Sequence, residues 1–121
     1  MKLNRVVVTG LGAVTPVGNT PEEMWKSLLA GKSGAAPITA CEVKDLNIND
    51  YIDRKSARKM DRCTQLALVS AIQSMNDSGI DLEKEDRNRI GVIYGIGIGG
   101  IQTFQEEVMY YGQHHEEGPR F

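Results

Sequence analysis

The sequence predicts an α/β layered fold, and three observations carry that prediction. Two β-branched runs, Val6-Val7-Val8 and Ile90-Gly91-Val92-Ile93, are bounded by turn residues, as in strands covered on both faces. Each run ends in a glycine-rich turn. The segments between and after them place apolar residues at three and four spacing, the period of a helix. The resulting order is β, α, α, β, α, which calls for layers of helix against sheet. At 121 residues the chain is long enough for one domain or for part of a larger one.

The first strand is expected from about Arg5 to Thr9, followed by a turn containing Gly10, Gly12 and Gly18. A dinucleotide fingerprint needs G-x-G-x-x-G with its last glycine in the first turn of a helix. Gly10 and Gly12 fit the first two places, but Thr15 holds the third and Pro16 follows it. Proline has no N–H to offer a phosphate and disrupts a helix interior. No Gly-Lys-Ser/Thr follows either, so a phosphate-binding P-loop is not indicated.

The first helix has a clear start. Thr20 is its N-cap, Pro21 its first residue, and Glu23 completes a Thr-x-x-Glu capping box. Trp25, Leu28 and Leu29 share one face, and Gly31 closes the helix. Lys32 to Thr39 reads as a loop, and Cys41 to Tyr51 as a short strand or turn. Asp50, Asp53 or Ser56 caps the next helix, whose stripe is Met60, Cys63, Thr64, Ala67, Leu68, Ala71 and Met75. That helix is expected to run to about Asn76, with Asp77-Ser78-Gly79 closing it. Asp81, Glu83, Glu85 and Asp86 read as a solvated turn rather than an acid/base pair. After the second strand and the turn Gly95-Ile96-Gly97-Ile98-Gly99-Gly100, a third helix carries Ile101, Phe104, Val108 and Tyr111 on one face.

Composition excludes several classes. The chain is 40% hydrophobic and 25% charged with net charge −2, which fits a globular protein and not a broad nucleic-acid binder. No run reaches membrane-helix length and no signal peptide opens the chain, so a cytoplasmic location is expected. Cys41 and Cys63 form no metal or redox motif, and free thiols are expected rather than a disulfide. Adjacent His114 and His115 point apart and lack a third ligand at suitable spacing. No metal and no cofactor are expected. The chain stops at Phe121 on a loop-like tail, which reads as a piece of something longer.

Taken in order, Val6-Val7-Val8-Thr9-Gly10-Leu11-Gly12, Thr15-Pro16-Val17-Gly18-Asn19, Trp25 and Leu28-Leu29-Ala30-Gly31-Lys32-Ser33-Gly34 resemble the start of β-ketoacyl-[acyl-carrier-protein] synthases. The type II condensing enzymes of bacterial fatty acid synthesis are the most similar. Arg54-Lys55-Ser56-Ala57-Arg58-Lys59-Met60-Asp61, Asp77-Ser78-Gly79-Ile80, Arg89-Ile90-Gly91, the Gly95–Gly100 turn and Gly118-Pro119-Arg120 continue the resemblance to the end. It covers the first quarter to third of such an enzyme.

The resemblance implies a thiolase-like fold of α/β/α/β/α layers, of which only the first part of the N-terminal half is present, in a homodimer. It implies decarboxylative condensation of an acyl thioester with malonyl-acyl carrier protein. The family's catalytic cysteine, two histidines and lysine lie beyond Phe121, so no catalytic residue is assigned here and the segment alone is expected to be inactive. Cys41, Cys63, His114 and His115 do not match those positions. Carrier-protein docking falls on Lys55, Arg58 and Lys59, with Arg54 contributing; on a helix Lys55 and Lys59 are i,i+4 neighbours. A charge run is otherwise read as a solvated helix start. Ile98 matches an apolar gate of the acyl pocket, with Ile101 and Phe104 lining the same region; on residue type alone it is a core isoleucine. The implied partners are acyl carrier protein, a second copy of the chain, and acyl and malonyl thioesters, with no nucleic acid and no membrane. Family members have some ten or more further residues between the matches to Ala40 and Cys41, so a segment is expected to be missing there. Alternative readings are a polyketide ketosynthase or chain-length-factor segment, and a non-catalytic fragment that binds carrier protein.

Overall fold

The fold is given by a computed structural model that describes residues 3–35 and 40–117. The match at Gly118-Pro119-Arg120 and the loop positions 36–39 lie outside the described residues. Among the described residues four α-helices follow one another: α1 (Pro21–Leu29), α2 (Arg54–Ala57), α3 (Arg62–Ser78) and α4 (Ile101–Gln113). Single 3₁₀ turns stand at Ile48–Asp50 and Arg87–Arg89.

Helix α1 begins and ends on its sequence signals. The Thr20 hydroxyl accepts the Glu23 N–H at 3.2 Å and Pro21 occupies the first helical position. The Glu23 carboxylate reaches one residue further back than a capping box does, accepting from Asn19 N–H at 2.9 Å. At the other end Gly31 takes φ +66. Its N–H bonds Leu28 O and the Lys32 N–H bonds Ser27 O, a Schellman closure that needs a residue tolerant of positive φ.

Neither expected strand forms. Residues 5–9 and 90–95 carry no strand pairing, and the isolated antiparallel bridge Thr15–Gly18 is the β-pairing among the described residues. The composition suits a strand, but a strand exists only against a neighbour that takes up its N–H and C=O groups. These two segments do not pair with each other. Their side chains are exposed, from Ile90 at 45% to Val6 at 90% and Ile93 at 99%. The sheet layer of the predicted α/β fold is therefore not made by the described residues.

The second predicted helix is also corrected. It is not continuous but splits into α2 and α3 with a turn at 58–60. Asp53 caps α2, accepting from the N–H groups of Lys55 (3.1 Å) and Ser56 (2.9 Å). The Gln65 amide, from the second turn of α3, donates to Ala57 O (2.9 Å) and Met60 O (3.3 Å). The Ala57 carbonyl, which also accepts the Met60 N–H at 3.2 Å, and the Met60 carbonyl are thereby tied to α3.

Helix α3 is the spine. Val69, at its centre, is fully buried and forms the small core with Ile52 and Ala57; Val14, Leu46, Ile48, Tyr51 and Met60 pack around it. The predicted stripe of α3 omits Val69, while its members Leu68 and Met75 lie at the surface. A compact 13.3 kDa monomer exposes about 6,500 Å², so the 10344 Å² found here is about 4,000 Å² more. The apolar face of α1 (Trp25, Leu28, Leu29) and that of α4 (Ile101, Phe104, Val108, Tyr111) belong to that uncovered surface.

Candidate functional site

Three neighbouring structures are built on α3. The first is the glycine turn at residues 10–18. The α3 side chains Ser70, Gln73, Ser74 and Asp77 recur at helical spacing and form one polar face. Asp77 Oδ2 accepts the Leu11 N–H at 2.8 Å, and Gln73 Oε1 accepts the Ala13 N–H at 3.0 Å. Gln73 also donates to Asn19 O at 2.6 Å, and the Ser74 hydroxyl donates to Gly10 O at 3.2 Å. The turn lies so close that a Cβ on Gly12 would run into the Ser70 carbonyl, and one on Gly10 into the Ser74 carbonyl. Within the turn, Thr15 and Gly18 exchange backbone bonds of 2.9 and 3.3 Å, and Val17 N–H bonds the Thr15 hydroxyl. The N–H groups of Leu11, Ala13, Thr15, Val17 and Gly18 are thus spent inside the protein, and a carboxylate stands on the loop. A phosphate needs free N–H donors and positive surroundings. This geometry packs a turn onto a helix; it does not cradle a nucleotide.

The second structure is the basic turn. Lys55 lies on α2, Arg58 is its C-cap, and Lys59 falls in the turn beyond. Lys55 and Lys59 are therefore not i,i+4 neighbours on one helix as expected, because the chain tightens after Ala57. Lys59 N–H bonds Ser56 O at 3.0 Å and Met60 N–H bonds Ala57 O at 3.2 Å, three-residue closures that end α2. All three cations are exposed. The described ion pairs lie elsewhere, Lys84 with Asp81 at 2.8 Å and Arg87 with Glu83. The Ser56 hydroxyl and N–H hold the Asp53 carboxyl beside this cluster below its usual range.

The third structure is the turn at residues 95–100. Gly100 adopts φ +67 as the N-cap of α4, a backbone that favours glycine. Ile98 is 79% exposed and borders a cavity of about 320 Å³ with Met60, Asp61, Cys63, Ile101 and Thr103. Phe104, expected beside Ile98, is exposed and does not line it. Arg62 and Cys63, the first residues of α3, also line this cavity. Cys63 and Cys41 are free thiols. Another cavity, of about 540 Å³, lies between the first glycine turn, α1 and residues 44–51, and its lining includes Asn19, Lys32, Lys44, Asp50 and Tyr51.

Residues 3–120 match the family model described as β-ketoacyl synthase, N-terminal domain. The chain belongs to the β-ketoacyl synthase family. It is 41% identical over 127 residues to 3-oxoacyl-[acyl-carrier-protein] synthase 2 of Staphylococcus aureus (strain COL), covering 96% of the chain and 30% of that relative. To the synthase of the same name from Synechocystis sp. (strain ATCC 27184 / PCC 6803 / Kazusa) it is 39% identical over 118 residues, 88% of the chain and 28% of the relative. The fold resembles a solved complex of a type II polyketide synthase acyl-carrier protein with its ketosynthase, bound to the hexaketide. The TM-score is 0.77 at 27% identity, over 88% of this chain and 30% of the matched one. The chain thus spans about 30% of the length of the relatives it matches.

In this synthase domain the basic turn and the Ile98 turn stand on either side of the residues that open α3. The sequence did not single out Asp61 or Thr103, yet the Thr103 hydroxyl donates to Asp61 Oδ1 across 42 positions. The one local signal was a second capping aspartate eight residues after Asp53. Nor did it single out the polar face of α3. Its signal was present, since Ser70, Gln73, Ser74 and Asp77 repeat at the same period as the apolar stripe.

Proposed function

We propose that the protein carrying this segment is a 3-oxoacyl-[acyl-carrier-protein] synthase of fatty acid biosynthesis. It condenses an acyl thioester with malonyl-acyl carrier protein, loses carbon dioxide and yields the 3-oxoacyl thioester. The observation that carries this reading is the 41% identity along 96% of the chain to a synthase of that name. The segment supplies no nucleophile. Its contribution is the first part of a thiolase-like layered domain, 1–121, in which the bare runs at Val6–Val8 and Val92–Tyr94 become covered strands of a homodimeric enzyme. Their exposure and the 4,000 Å² or so of surplus surface support that placement. The alignment to the Staphylococcus relative spans 127 positions, more than the 121 residues present, which supports a shortened segment in this chain; the motif spacing assigns it to Ala40–Cys41.

Lys55, Arg58 and Lys59 dock the acidic face of acyl carrier protein, and Ile98 gates the acyl pocket. Exposure of the three cations supports the first assignment, and the cavity that Ile98 borders, which begins at Met60 directly after Lys59, supports the second. Complementary charge of this kind speeds encounter and sets orientation. The likeness to a polyketide ketosynthase favours a second reading, a ketosynthase acting on a polyketide chain. The test is condensation by the full-length gene product, followed by mass spectrometry of the thioester products. Elongated 3-oxoacyl-carrier protein from saturated acyl primers supports fatty acid synthesis, and absence of any condensation product overturns it. With Lys55→Glu and Lys59→Glu together, KM for the carrier rises about tenfold or more while kcat is retained, and the salt dependence flattens. An unchanged KM rejects the docking assignment alone.

A further inference from the structure

Asp61 stands where the basic turn and the Ile98 turn meet. It is the N-cap of α3, with φ −58 and ψ 155, yet its carboxylate makes no capping bond to that helix. An N-cap aspartate ordinarily accepts the N–H groups of its own first turn. This one accepts the Thr103 hydroxyl of α4 instead. Its other oxygen lies against Gly100, where a Cβ would come to 2.8 Å. Asp61 therefore has two competing sets of donors. One is Thr103, which fixes α4 and the turn before it. The other is the set of first-turn N–H groups of α3, which a helix start always offers. Immediately upstream, at 58–60, the chain is a turn rather than a helix, and its exposed Arg58 and Lys59 are the docking cations. Just before the Thr103 contact in the chain, Ile98 and Gly100 form the gate turn. Around Gly97 a Cβ would meet nothing within 4 Å, so that part of the turn is free to shift once Thr103 lets go.

We propose that Asp61 and Thr103 form a latch that couples carrier docking at Lys55, Arg58 and Lys59 to the position of the Ile98 gate. The proposal rests on the docking and gating roles given above and adds the link between them. With no carrier bound, Asp61 holds Thr103 and the gate turn lies over the start of α3. When carboxylates of the carrier engage Arg58 and Lys59, the 58–61 turn shifts, Asp61 turns to cap α3, and Thr103 and the gate are released. The carrier achieves this by binding the capped arrangement more tightly than the latched one, which is the only way a ligand moves such an equilibrium. Asp61 and Thr103 are positioning residues; neither touches the reacting atoms.

The test is hydrogen exchange, read by mass spectrometry, on the full-length gene product with and without acyl carrier protein. For the unaltered protein the carrier speeds exchange across 97–103 and slows it at 62–65, each roughly three- to tenfold, the size of one hydrogen bond made or lost. That arm needs no variant. Thr103→Val removes the hydroxyl at an exposed position, shows both changes without carrier, and responds no further when carrier is added. Thr103→Ser restores the response, which a merely structural role would not require. Carrier that binds Thr103→Val with unchanged affinity and still shifts exchange at both places overturns the latch and leaves the docking reading intact. An unaltered protein that does not bind the carrier overturns both.

Discussion

Two glycine turns in this protein look alike in sequence and do opposite work. Each follows a β-branched run: Val6–Val8 before Gly10, Gly12 and Gly18, and Ile90–Ile93 before Gly95, Gly97, Gly99 and Gly100. In the first turn glycine is required by proximity. The backbone lies on the polar face of α3, four hydrogen bonds to Gln73, Ser74 and Asp77 hold it, and a side chain on Gly10 or Gly12 would occupy the space of a helix carbonyl. In the second turn Gly95 and Gly97 face open space, Gly99 and Gly100 meet side chains (Ile96, Cys63 and Asp61) rather than helix backbone, and the attachments are single ones. The Tyr94 and Ser70 hydroxyls meet at 3.0 Å, and Thr103 bonds Asp61. The lesson is that a glycine-rich motif states only that a side chain is absent. Whether the absence serves close packing or freedom of movement depends on what faces it.

That contrast can be broken at graded cost in the full-length gene product, with urea unfolding as the measure. The largest effect is expected from Gly12→Ala, whose methyl group meets the Ser70 carbonyl and has no flexible neighbour to displace. Overpacking of this kind costs about 3 kcal/mol. A value below 1 kcal/mol would mean that the turn stands off α3. Next is Gln73→Ala, which removes the acceptor for Ala13 N–H and the donor to Asn19 O at once. A loss of about 1.5 kcal/mol follows from two part-buried hydrogen bonds, and the fluorescence of Trp25, on the helix that follows the turn, reports the loosening. The smallest is Gly97→Ala, which meets nothing within 4 Å and changes stability by less than about 0.5 kcal/mol. A cost there as large as that at Gly12 would show that the second turn is packed as tightly as the first, in contacts made by the rest of the enzyme.

The comparison also explains what was legible. Helix α1 was readable to its caps because Thr20, Pro21, Glu23 and Gly31 act within one turn of where they stand. The break between α2 and α3 was not. Residues 54–78 contain no proline or glycine, and the interruption is completed by Gln65 reaching back to Ala57 and Met60. Of the candidate site residues, Lys55, Arg58, Lys59 and Ile98 were proposed through resemblance, and their arrangement was not legible. The cations are spread over a helix end and a turn, and Ile98 borders a cavity whose other wall is the start of α3.

By itself the sequence determined the ends of α1, the closure of α3 at Gly79 and the family. Capping, glycine closure and helical period depend on neighbours within a few residues, and the ordered motifs from Val6 to Gly100 are specific as a set. Only the tertiary structure decided where α3 begins, which face of it receives the first glycine turn, and that Asp61 serves α4 rather than its own helix. It also decided that the β-branched runs remain unpaired among the described residues. The physical reason is the same in each case. A hydrogen bond or a strand pairing between residues far apart in the chain is fixed by which groups meet in space, and no local propensity encodes that meeting.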